Sequence, residues 1–126
     1  MKGKMILLAA SLLFVATSAA VAATDVFHFA LSRSAPAADA TVAALEEVRL
    51  WFTEAPQANS VGIRVIDPAG EALATAAAAA DPDDALAFFV RPAAPLSAGA
   101  YTVSWRGIGD DGHAVTGEFG FSVTAQ

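Results

Sequence analysis

Hydrophobic residues recur at every second position of this chain, in short runs broken by turn-forming residues. Phe27, Phe29 and Leu31 fall on one side, with His28, Ala30 and Ser32 on the other. The alternation returns in Val48, Leu50 and Phe52, in Val61, Ile63 and Val65, and in Leu86, Phe88 and Val90. Tyr101, Val103, Trp105 and then Phe119, Phe121, Val123 complete the set. A period of two marks strands buried on one face only. Ala35-Pro36, Glu54-Ala55-Pro56, Asp67-Pro68-Ala69-Gly70, Asp81-Pro82-Asp83-Asp84, Pro92 to Gly99 and Gly109 to Gly112 separate the runs. These residues turn the chain or block strand pairing.

Strands at this spacing, without an amphipathic helix, predict one all-β domain: an antiparallel β-sandwich of about seven strands with Greek-key connections. Two stretches depart from the alternation. Val42 to Glu47 has the composition of a helical turn. Ala76 to Ala80 has high helix propensity but is stopped by Asp81-Pro82, and so reads as a loop or frayed strand.

The N-terminus follows another rule. Lys2 and Lys4 precede an apolar run from Met5 to Val15, broken only by Ser11, and small residues follow through Ala23. The run is too short for a membrane span, and the pattern is that of a cleavable secretory signal. Residues 1–23 are therefore expected to be removed, leaving the domain at 24–126 without stable membrane insertion. Without Lys2 and Lys4 the 7 basic residues become 5 against 13 acidic ones, so the net charge falls from −6 to −8. Such a surface repels nucleic acid and anionic lipid and concentrates cations. The chain has no cysteine, which rules out thiolate metal ligands and disulfides.

Chemistry concentrates on two histidines. His113 lies in Asp111-Gly112-His113, and His28 lies just past the signal. Asp-Gly is a common hairpin dipeptide, so a plain turn accounts for the first motif. The same turn would also hold a carboxylate and an imidazole toward one ion. His28, on the polar side of its strand, joins them only if the first strand meets that turn, and spacing alone does not decide this. Ser32, Ser34 and Thr116 have no base beside them for nucleophilic catalysis.

Four segments together give the chain a resemblance. His28 to Ala37, Val48 to Glu54, Leu96 to Arg106 and Asp111 to Phe121 follow in order the opening pattern of His, then Leu, then Ser-x-Pro-Ala, the V-x-L-x-F-S-E strand, the L-x-x-G-x-Y-x-V-x-W-R hairpin and the D-G-H-x-V-x-G-x-F-x-F ending of the CopC family of periplasmic copper-binding proteins (YobA/CopC-like copper resistance domains), which the chain resembles. The resemblance implies an Ig-like or cupredoxin-like small barrel or sandwich. It further implies a carrier or buffer for one Cu(II) in the periplasm, not an enzyme, serving copper homeostasis and resistance. The implied metal ligands are His28, Asp111 and His113, and an inner-membrane copper transporter of the CopD type is the implied partner. Nitrogen and oxygen donors suit Cu(II). The only methionines, Met1 and Met5, lie in the signal, so no sulfur site for Cu(I) is expected.

One departure matters. In the family the opening histidine is often the first mature residue, and its amine is a ligand. Here Thr24 to Phe27 precede His28, which predicts a site lacking that chelate and a weaker grip on the ion. Two other readings stay open: a histidine-brace copper oxidative enzyme, which needs His28 at the mature N-terminus, and a sandwich interaction domain with a weakened metal site. Trp51 and Trp105 read as packing residues, while Arg106, Asp110 and Glu118 are candidates to orient the ligands.

Overall fold

The computed structural model describes residues 28–125. These form eight strands and, among the described residues, no helix: β1 (Leu31–Ala35), β2 (Thr41–Val42), β3 (Val48–Phe52), β4 (Gly62–Ile66), β5 (Ala79–Asp81), β6 (Asp84–Val90), β7 (Gly99–Ile108) and β8 (Ala114–Val123). One sheet has the order β1-β3-β6-β5, the other β2-β8-β7-β4. All pairings are antiparallel except that of β2 with β8. The chain crosses to the second sheet for β2, returns for β3, crosses again for β4, returns for β5 and β6, and crosses last for β7 and β8. An all-β sandwich is what the alternation predicts.

The core lies between the sheets, built from the predicted faces. Val48, Leu50 and Phe52 of β3 are almost wholly buried, as are Val65 of β4, Val90 of β6 and Val103 of β7. Each such side chain contributes about 1.5–3 kcal/mol when removed from water. At one end Phe29 stacks on Phe52, ring centroids 4.7 Å apart, and Phe52 lies 5.5 Å from Trp105. At the other end Tyr101 stacks on Phe121 and its hydroxyl donates to Ser97 O at 2.6 Å.

Three details differ from the sequence pattern, while the alanine stretch follows it as a loop ending in a short, irregular strand. Leu86 was expected inside beside Phe88 and Val90 but is exposed. Pairing of β3 with β6 ends at Trp51–Ala87, so Leu86 overhangs the core on the tip of the β5–β6 hairpin. Val42 to Glu47 forms no helical turn. Thr41 and Val42 instead run parallel to Ser122 and Val123. The end of the alanine stretch becomes β5 through pairing with Phe88 and Phe89. The regular first strand starts at Leu31 rather than further upstream, although Phe29 is buried as predicted. Phe27 and the signal segment lie outside the described residues.

The outer face of the first sheet is closed by its own side chains. Arg33 lies over the Trp51 ring at 4.0 Å, Arg49 over Phe89 at 5.0 Å, and Arg91 over the same Phe89 ring at 4.8 Å. Arg49 also pairs with Glu47 and Asp81, and Arg91 with Glu47. Edge strands are brief or irregular: β2 has two residues, β5 three, and β1 carries a register shift between Leu31 and Arg33.

Candidate metal centre

β7 and β8 are joined by the bend Gly109 to His113. Gly112 N donates to Gly109 O at 3.0 Å and Gly109 N to His113 O at 3.2 Å, while Gly112 takes a φ of 81° that glycine adopts without strain. The Asp111 carboxylate accepts from His113 N at 3.0 Å through one oxygen, and its other oxygen lies 2.8 Å from His113 Nδ1. The hydrogen bond and charge of Asp111 raise the His113 pKa above its ordinary value. In return His113, and to a smaller degree the charge of His28, lower that of Asp111. Both side chains face solvent, His113 at 83% exposure and Asp111 at 51%.

This pair has the dimension of a metal-site edge. Two donors each about 2 Å from one ion and a right angle apart are separated by roughly 2.8 Å. The Asp-Gly-His motif is thus a turn that holds a carboxylate and an imidazole in hydrogen-bond contact.

His28 reaches the bend by a route that neither sheet's ladder provides. Thr53 N donates to Ala30 O at 2.9 Å, and Thr53 Oγ1 accepts from Ala30 N and donates to His28 O, both at 3.0 Å. Phe29 then crosses to the second sheet and lies on Gly107 and Gly109. A Cβ at Gly107 would stand 2.6 Å from the Phe29 ring, and one at Gly109 would stand 2.7 Å from Phe29 Cβ. These two glycines let the segment approach the end of β7. The start of the domain therefore lies against the bend, as a shared site requires. Only Asp111 and His113 are in contact, however. Among the described residues no three His, Asp or Glu side chains converge closely enough to hold an ion.

The loop after β3 holds the bend from beneath. Glu54 Oε1 accepts from Asp110 N at 3.2 Å, and Gln57 Nε2 donates to Gly109 O at 3.1 Å. Gln57 N donates to Ile108 O at 2.8 Å, and Ile108 N donates to Ser60 Oγ at 3.1 Å. A Cβ at Gly109 would lie 2.9 Å from Glu54 Oε1 and 3.3 Å from Asp111 Oδ1, so both carboxylates border the same glycine. Glu54 is the site residue that sequence reading missed. Its signal was a carboxylate at the end of a buried strand, immediately before Ala55-Pro56. Of the candidate orienting residues, none of the Arg106, Asp110 or Glu118 side chains bonds to Asp111 or His113 among the described residues. Trp105 packs in the core and Trp51 on the outer face.

Residues 31–124 match the family model described as the CopC domain. The chain is 32% identical over 109 residues to copper resistance protein C of Escherichia coli, covering 82% of this chain and 86% of that protein. To copper resistance protein C of Xanthomonas campestris pv. juglandis it is 34% identical over 115 residues, covering 86% and 91%. The crystal structure of PcoC, a methionine-rich copper resistance protein from Escherichia coli, superposes with a TM-score of 0.69 at 31% identity, covering 77% of this chain and 99% of that one. Sequence and fold agree, and the chain belongs to the CopC domain family.

Proposed function

We propose that this protein is a periplasmic Cu(II) carrier or buffer acting in copper homeostasis and resistance, without a catalytic step of its own. The names of its relatives support copper as the cargo. The observation that carries the reading is the Asp111–His113 pair, two donors 2.8 Å apart on a bend against which the His28 segment is docked. His28, Asp111 and His113 supply two imidazoles and a carboxylate, and Glu54 borders the same bend as a further oxygen donor. Closure on the ion brings the His28 imidazole to the bend and exchanges the Asp111–His113 hydrogen bond for metal bonds, while Thr53 holds the His28 carbonyl. Nitrogen and oxygen donors favour Cu(II). One relative of known structure is called methionine-rich, whereas this chain has methionine only at positions 1 and 5.

Residues 1–23 act as the export signal, and an inner-membrane transporter of the CopD type receives the metal. Calorimetric titration of the exported apo protein is expected to give one equivalent of Cu(II), lost in the His28→Ala/His113→Ala double variant. Absence of uptake, or uptake unchanged in that variant, overturns the assignment. Intact mass of the exported protein fixes its N-terminus. A chain beginning at His28 would favour the histidine-brace reading instead.

A further inference from the structure

The outer face of the second sheet carries a cavity of about 620 Å³ that the metal site does not use. Its floor is Gly62 and Arg64 of β4, Ser104 and Arg106 of β7, and Thr116 of β8, with the segment 75–78 as one wall. The register sets Arg64 opposite Ser104, and Arg106 between Gly62 and Thr116. Arg106 lies across Gly62, where a Cβ would stand 3.2 Å from its Cγ and Nε, so the glycine makes room for the guanidinium.

Charge makes this cavity unusual. The chain has 13 acidic residues and 7 basic ones, yet among the described residues neither Arg64 nor Arg106 has an acidic partner. Two exposed guanidiniums without an acidic partner share this face, with Glu118 opposite Ser104 on the next strand, and guanidinium binds carboxylate through two parallel hydrogen bonds. Thr75, Ser104 and Thr116 add hydroxyl donors, while Ala76 to Ala78 offer an apolar wall to a carbon skeleton. The volume falls in the range of small-molecule pockets. An added peptide strand fits less well. Leu73 N already donates to Val65 O, and Ile66 bridges Ala72, which leaves only a short open stretch of the β4 edge.

We infer that this pocket binds a small organic di- or tricarboxylate. It stands apart from the metal centre, because Arg106 and Thr116 are three residues from the bend on each strand, roughly 10 Å. The inference does not depend on copper, and the test uses apo protein. Citrate, inorganic phosphate and a poly-glutamate peptide are titrated by calorimetry, with amide shifts followed by NMR. Citrate is expected to bind and to shift Arg64, Arg106, Thr116 and residues 75–78, leaving the bend unmoved. Arg64→Gln and Arg106→Gln should each weaken it roughly tenfold, and the double variant should abolish it at an unchanged thermal midpoint. If the double variant fails to fold, the single variants decide. No binding at millimolar citrate, binding indifferent to both arginines, or shifts centred on His113 would each overturn the inference. Phosphate binding as tightly as citrate would overturn the organic assignment, and tighter peptide binding would overturn the small-molecule one.

Discussion

The two arms of the proposed metal centre are held by different means. The His28 arm takes its place from distant parts of the chain: Phe29 buried at 4% exposure against Gly107 and Gly109, and Thr53 bonded on both sides. The Asp111–His113 arm is local. Its carboxylate bonds the backbone and ring of a residue two positions away, in solvent. The first arm is only as firm as the sandwich, while the second keeps its shape wherever the turn forms. Copper affinity should therefore follow fold integrity through His28 and follow pH through His113.

Phe29→Ala should separate the arms most clearly. Removing the ring that stacks on Phe52 should cost about 3–5 kcal/mol in denaturant unfolding. Copper binding should weaken with it, while the His113 titration by NMR stays in place. A shift of that titration would show the arms to be coupled. Gly109→Ala comes next, because its Cβ would strike Phe29 and crowd Glu54 and Asp111. Overpacking there should cost about 1–3 kcal/mol by thermal unfolding and weaken copper binding through both arms together. Thr53→Val should cost no more than about 1 kcal/mol and reduce Cu(II) affinity in calorimetry without moving the His113 pKa.

Asp111→Asn should alter stability least and titration most. Asp111 raises the His113 pKa, so the variant's imidazole should titrate lower, nearer 6.5. The sign for stability follows from both partners. His113 contributes fully below its ordinary 6.5, and the contribution is lost as pH rises through its raised folded value. Asp111 contributes above its ordinary 3.8, and that part is lost as pH falls through its lowered folded value. The pair thus steadies the bend between these limits. Copper takes the deprotonated imidazole, so Cu(II) affinity in the native protein should fall as pH drops through the raised His113 value. An affinity in calorimetry that does not change with pH over that range would show that His113 is not a ligand.

Much of this was legible in the chain. Alternation marked β3, β4, β7 and the second half of β8, because each buries one face and a period of two is then unavoidable. The short strand β2 was not legible, since two residues carry no period and are a strand only through Ser122 and Val123, while β5 showed as a loop or frayed strand that Phe88 and Phe89 complete. Leu86 had the right pattern but lay beyond the end of its neighbour. At the site, Asp111 and His113 are two residues apart, so their contact is readable locally. Glu54, Gln57 and Ser60 reach the bend across about fifty residues. A carboxylate closing a strand is too common a feature to point there.

The frugal borders of the sheets bear on how such a chain survives in solution. Unpaired strand edges are templates for cross-β growth, and proteins blunt them with brevity, bulges and covering loops. β2 and β5 are too short to template another molecule, β1 is bulged, and Leu73 caps part of β4. With no cysteine to staple the fold, these blunted edges should oppose fibril growth, and concentrated samples are expected to stay free of thioflavin-positive aggregate.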